Sequence, residues 1–197
     1  MEPEINAEHN DQIRELLIQM EEHSAGERGH AHRVSVYAVA VGERLGMNFE
    51  ELIRLRQAAS LHDVGKIHVD RKLLNKIGDL TPEELVQLRL HAHKAVRVVE
   101  ALTWLKPALP MIVHHHERWD GAGYPDGLAG EEIPLGARII AVAETFDVLT
   151  SELTWREPIG ERLALDEVRR GAGTQFDPKV VEVFVDVQPL IQPILGA

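Results

Sequence analysis

HHHERWDGAGYPDG, residues 114–127, ends an apolar run with three consecutive histidines and opens at once into a glycine-rich loop. Neutral imidazole is the commonest side-chain ligand for transition metals. Glycine, without a Cβ, lets backbone approach a ligand closely or take positive φ. The stretch therefore reads as a metal site and a ligand site in one place. The bland alternative is a helix end with solvated imidazoles, and the rest of the chain decides between them.

Upstream, Glu50–Asp63 has the spacing of a helix with Leu52, Leu55, Ala59 and His62 on one side, and it runs into LHDVGK at residues 61–66. Neighbouring helical residues point about 100° apart, so His62 and Asp63 share a site only at a helix end or if Asp63 bridges two ions. Before this helix, residues 5–23 carry Ile13, Leu16, Leu17 and Met20 at helical spacing, the pattern of a packing or dimerising helix. A second helix follows from His30, with Val34, Ala38, Val41 and Leu45 as its stripe and Gly46 as its stop. Val64–Leu80 reads as a loop. Thr81, Pro82 and Glu84 form a capping box with proline at the first helical position, and the helix they open puts His91 on the stripe of Leu85, Leu88, Ala95, Val98 and Leu102. In isolation that histidine reads as a satisfied core residue.

Pro107 is expected to open a helix with Leu109, Ile112, Val113 and His116 inward. Trp119–Pro134 is long for a loop inside a compact domain, which points to function, and Trp119 and Tyr124 argue for order. Leu135–Leu153 reads as a helix burying Ile139, Ile140, Ala143, Phe146 and Leu149, with Glu144 and Asp147 three apart and one of the two on a solvated face. A shorter helix covers residues 159–170. Asp177 with Pro178 signals a last one through Val187. No alternation of period two is long enough to make a sheet, so the class is all-α.

The chain of 197 residues suits one domain. No apolar run approaches the roughly 18 residues of a membrane span, and the start lacks signal-peptide character, so the expected location is cytoplasmic, with no membrane partner. There is no cysteine, which leaves imidazole and carboxylate as metal ligands and favours iron, manganese or zinc in nitrogen and oxygen surroundings. A net charge of −11 argues against binding to DNA or RNA duplexes, which demands a basic surface. A small anionic substrate is compatible, because bound cations reverse the local sign.

HDVGK and HHERWDGAGYPDGL, together with LGARIIAVAETFDVLTS and RGAGTQFDP, resemble the HD-GYP family of bacterial second-messenger enzymes, a branch of the HD metal-dependent phosphohydrolases. The likeness runs from about Gly29 to Phe184. It implies an HD-type helical core extended by further C-terminal helices, with residues 1–28 as an added helix, 29–187 as the domain and 188–197 as a tail. It also implies cleavage of cyclic di-GMP to pGpG or GMP by attack of a metal-activated hydroxide.

The family's ligands fall on His30, His62, Asp63, His91, His115 and His116, with Asp63 as the bridge, whereas His32, His68, His93 and His114 lie outside its pattern. Glu144 stands where the family has an aspartate. Gly26 stands where members with a third ion carry Glu, and Glu27 is one place away, which argues for two divalent ions rather than three: iron or manganese ahead of zinc, nickel or magnesium. Leu153 replaces an arginine that contacts the dinucleotide, and Arg156 matches a later basic position.

Two metals make a water more acidic and clamp the attacking and leaving oxygens of a phosphodiester, while a bridging Asp63 fixes their separation. Lys66 offers a point charge to phosphate oxygens. In the loop, Tyr124 is expected near the guanine or ribose, Pro125 stiffens the turn, and Gly121 and Gly123 supply backbone donors. The same loop suits a protein partner, and the first helix suits a homodimer. Two other functions remain open: a catalytically weak domain that binds the dinucleotide or a protein, motivated by Glu144, Gly26 and Leu153, and an HD-type hydrolase of another nucleotide or cyclic dinucleotide.

Overall fold

The computed structural model describes residues 7–24, 29–151 and 157–195, with side chains to Ile191. Arg156, Gly26, Glu27 and Leu153 lie outside the described residues. The architecture is all-α: α1 Ala7–His23, α2 His30–Arg44, α3 Phe49–Ser60, α4 Arg71–Leu74, α5 Pro82–Arg89, α6 His91–Ala101, α7 Leu109–Val113, α8 Leu135–Thr150, α9 Glu161–Arg170 and α10 Pro178–Leu195. No helix among the described residues is long and apolar enough to cross a membrane.

The core lies where α2, α3, α8 and α10 meet. Tyr37, Phe146 and Phe184 pack as an aromatic triad with ring centroids 5.2 to 5.6 Å apart, and Val34, Leu55, Ile139 and Ile140 are fully buried around it. Capping follows the sequence. Asn48 and Glu51 close a capping box at α3, Thr81 and Glu84 close one at α5, and the Asp177 carboxylate accepts from the Lys179 N–H at 2.8 Å at the start of α10. Helix α1 packs on its own chain: Met20 is buried, Trp104 donates to Gln12 at 2.8 Å, and the His23 ring bonds the Val69 carbonyl at 2.8 Å.

Several boundaries differ from the sequence reading. Helix α3 stops at Ser60, so His62 and Asp63 lie beyond its end. Val64–Leu80 is not wholly loop, because it contains a 3₁₀ turn, Val64–His68, and the short α4. The helix opened by Pro82 does not run through to Leu102. It breaks at Leu90, and there the Leu88 carbonyl is taken by the His91 ring at 2.7 Å. Pro107 sits within a 3₁₀ turn, Thr103–Ala108, and α7 starts at Leu109. Helix α8 ends at Thr150 rather than Leu153, with the Thr150 hydroxyl turned back onto the Phe146 carbonyl. Helix α10 continues to Leu195 instead of stopping at Val187, so the stretch expected as a tail is largely helical.

Candidate metal centre

Six of the seven residues expected to bind metal sit at helix termini or just beyond them, and one device recurs. His62 directs Nδ1 to the Ala59 carbonyl at 2.8 Å, His91 to Leu88 at 2.7 Å and His115 to Ile112 at 2.6 Å. Each ring thus donates to a carbonyl three residues back, one left open at the helix end. The bond fixes the tautomer and leaves the Nε2 lone pair facing inward. His30, at the first position of α2, directs Nδ1 instead to the Asp147 carboxylate at 2.7 Å.

These inward faces converge on Asp63. Its Oδ2 lies 3.3 Å from His62 Nε2 and 2.6 Å from Lys66 Nζ, and its Oδ1 lies 3.2 Å from His91 Nε2. Two sets of four residues share it: His30, His62, Asp63 and Glu144, and Asp63, His91, His115 and His116. Within each set one ligand atom per residue lies within 4.8 Å of the others. Asp63 Oδ1, His91 Nε2 and His115 Nε2 are buried with no hydrogen-bond partner. Buried acceptors without partners are costly, and a cation between them removes the cost, so the residues present fit metal ions.

The electrostatics point the same way. Burial would raise the Asp63 pKa, but the charge of Lys66 and the neighbouring His62 and His91 hold it well below the usual carboxylate value. Burial pushes His91, His115 and His116 below the usual imidazole value, His115 and His116 well below, with neighbouring imidazoles adding to it. The site therefore presents an ionised carboxylate and neutral rings, the protonation states that metals need. Glu144 is shifted upward, by burial and then by Asp63.

The solvated-face reading fails for both acids of α8. Glu144 is 15% exposed and 4.0 Å from His116 Nδ1. Asp147 is 2% exposed, paired with Arg33 at 2.6 Å as well as with His30. One turn along a helix turns both acids toward the same neighbour, α2. Arg33 and Asp147 are the supporting pair that sequence reasoning did not place, although Arg33 stands three residues after His30 and Asp147 three after Glu144. His32, His68 and His93 are exposed and belong to none of the groups able to hold an ion among the described residues.

HDVGK owes its glycine to packing. A Cβ on Gly65 would stand 1.9 Å from the His91 carbonyl oxygen, so only glycine lets the turn after Asp63 press against the start of α6. Gly123 is similar: a Cβ there would meet the Arg118 backbone nitrogen at 2.3 Å. The Gly121 N–H donates to the Arg118 carbonyl at 2.9 Å, so it is not a donor for a ligand, contrary to expectation. The loop is pinned further by Trp119 and Asp120 N–H groups donating to the Gln175 and Thr174 carbonyls, which explains its pairing with RGAGTQFDP.

Tyr124 is half-buried rather than exposed. Its ring lies 4.8 Å from the His116 ring, with the Arg89 guanidinium 5.1 Å above it. Pro125 follows it through a cis peptide bond. Beside the loop, a cleft of about 300 Å³ reaches His116 and Glu144 and is lined also by Arg118 and Gln175.

The HD domain family model matches residues 10–180. The cyclic di-GMP phosphodiesterase response regulator RpfG of Xanthomonas campestris is 33% identical over 195 residues, 98% of this chain and 52% of that protein. A 3'3'-cGAMP-specific phosphodiesterase of Vibrio cholerae is 38% identical over 153 residues, 77% of this chain and 33% of that protein. The chain thus spans between a third and a half of these relatives. In fold it is similar to the crystal structure of a cyclic GMP-AMP specific phosphodiesterase from V. cholerae, with TM-score 0.66 and 23% identity over 85% of this chain and 46% of that one.

Proposed function

The chain belongs to the HD-domain family, in its HD-GYP branch, and from that premise we propose that it is a metal-dependent phosphodiesterase that hydrolyses cyclic di-GMP. The observation that carries this reading is Asp63, whose two oxygens face separate histidine sets while one of them has no hydrogen-bond partner. His30, His62, Asp63 and Glu144 would hold one ion, and Asp63, His91, His115 and His116 the other. Two such ions supply Lewis acidity toward phosphodiester oxygens and make a water more acidic.

The chain's own residues do the rest. Lys66, 21% exposed, holds the Asp63 carboxylate in place at 2.6 Å and would supply a positive charge to a phosphate bound there. Arg89 and Tyr124 form a cation-over-ring platform at the edge of the cluster, suited to a purine base, while Gly123 lets the loop before Tyr124 press against Glu117 and Arg118. With Nδ1 bonded to a carbonyl and Nε2 turned toward an ion, the rings of His62, His91 and His115 would have no nitrogen left for a proton, so protons released in the reaction would leave toward solvent.

The test is turnover of cyclic di-GMP by anaerobically purified full chain supplied with manganese or iron, read with its metal content. Formation of pGpG or GMP is expected. A chain that carries two ions and cleaves no cyclic dinucleotide overturns the assignment. The 38% identity to a cGAMP-specific enzyme supports a second reading, a preference for a related cyclic dinucleotide, so cGAMP belongs in the same assay.

Glu144 is the position to probe next. Glu144→Ala should leave a folded chain with one ion fewer and turnover at least about 10²-fold down, since one cation loses its only unshared carboxylate. Full metal content in that variant would remove Glu144 from the ligand set.

A further inference from the structure

We propose that His114, Glu117 and Asp126 form a second, separate divalent-cation site that fastens the glycine-rich loop to the end of α7. None of the three belongs to either set around Asp63, and the proposal does not depend on what reaction that cluster performs.

His114 repeats the device of the buried ligands. It directs Nδ1 to the Pro110 carbonyl at 2.8 Å and its Nε2 toward Asp126, 3.0 Å from Oδ2. A neutral ring that donates its Nδ1–H turns a lone pair toward that carboxylate, and two acceptors at this distance need a proton or a cation between them. Glu117 decides which. It is 4% exposed, and its Oε1 accepts from the Asp126 and Gly127 N–H groups at 2.7 and 3.0 Å. Its Oε2 is buried with no hydrogen-bond partner. One ligand atom from each of the three residues lies within 4.8 Å of the others. A proton on His114 would satisfy Asp126 and leave the buried Glu117 oxygen orphaned. A divalent cation held between the three would join His114 to Asp126 and also neutralise the buried Glu117 carboxylate.

One imidazole nitrogen with two carboxylate oxygens suits zinc or manganese. Asp126, 53% exposed, leaves one side open to water ligands. The consequence lies in what the ion would join. Glu117 follows His116 directly, Asp126 follows Tyr124 by two residues, and the Tyr124 ring rests against the His116 ring. An ion here would fix the loop's position over the Asp63 cluster.

The test dialyses the chelator-stripped full chain against micromolar zinc and counts ions per chain. Asp126→Asn and His114→Gln should each lower the count by one, and Asp63→Asn should lose ions while keeping this one. Melting temperature without metal serves as the folding control, and Asp126→Asn at a half-exposed loop position should not change it. An unchanged ion count in both variants overturns the proposal. So does a count unchanged in His114→Gln with a lowered metal-free melting temperature, because the contact is then a plain ion pair.

Discussion

The Asp63 cluster and the glycine-rich loop lie side by side and are built in opposite ways. In the cluster, His30, His62, His91 and His115, from four separate stretches, are each held by an Nδ1 hydrogen bond at the back, while Asp63 Oδ1, His91 Nε2 and His115 Nε2 in front have no partner. In the loop, backbone groups of Trp119, Asp120, Gly121, Tyr124 and Gly130 are taken up by other backbone, and Gly123 is packed against it. The cluster's side chains leave atoms for a cation, whereas the loop's backbone is largely satisfied by its own chain, with only His114, Glu117 and Asp126 beside it open to an ion. The first should respond to changes in charge and metal, the second to changes in shape.

The strongest way to break this contrast is Asp63→Ala. The shared carboxylate serves both sets, so the variant should lose both ions and lower turnover by at least about 10³-fold, the scale of removing a central electrostatic group. Metal analysis with a turnover assay reads both. Retention of two ions would show that the histidines suffice and that Asp63 is not a bridge.

Asp147→Asn comes next. The residue touches no presumed ion, but it holds the Nδ1 of His30 and the guanidinium of Arg33. Loss of its charge should weaken one ion's affinity by about 10 to 100-fold while the second ion stays bound, the usual effect of disturbing a partner behind a ligand. Metal titration separates the two. Equal weakening of both ions would mean that the two sets are not independent around Asp63.

How much of this was legible beforehand differs between the same two regions. The cluster could be read because its residue types are restricted, only histidine and carboxylate doing that work in a chain without cysteine, and because HDVGK and HHERWDGAGYPDGL match a family's motifs in order. Which acid of α8 faces inward could not be read, since Glu144 and Asp147 are three apart and both turn toward α2. The breaks at Ser60 and Leu90 were hidden because the apolar spacing continues across them. For the loop, glycine signals that backbone comes close to something without saying what, and here it is the loop's own chain.

The metal-free chain offers a milder probe. Burial holds His91, His115 and His116 below the ordinary imidazole value, so the unfolded chain binds more protons than the folded one once pH falls below about 6.5. Stability should therefore be greatest above that pH and decline below it, with Asp63 adding a further loss below about 4. Glu144, shifted upward, opposes this as a single group. A chemical denaturation series from pH 8 to pH 5 without metal checks the direction. A flat profile would mean that the cluster opens to water when empty.

Gly123→Ala should affect the cluster least and stability most locally. The added methyl group meets the Arg118 nitrogen and the Glu117 Cα at 2.3 and 2.5 Å, and backbone cannot move aside as a side-chain tip can. A cost of about 3 kcal/mol or more is expected, at the upper end for overpacking, with the Asp63 ions still bound. Gly130→Ala is the matched control. Gly130 has φ 56° and nothing within 4 Å of an added Cβ, so it meets only the left-handed backbone penalty of about 1 to 2 kcal/mol. If the two variants melt together, the loop's glycines serve conformation alone. If Gly123→Ala melts well below Gly130→Ala and keeps its metal, the loop is held by close backbone contact and the cluster is assembled independently of it.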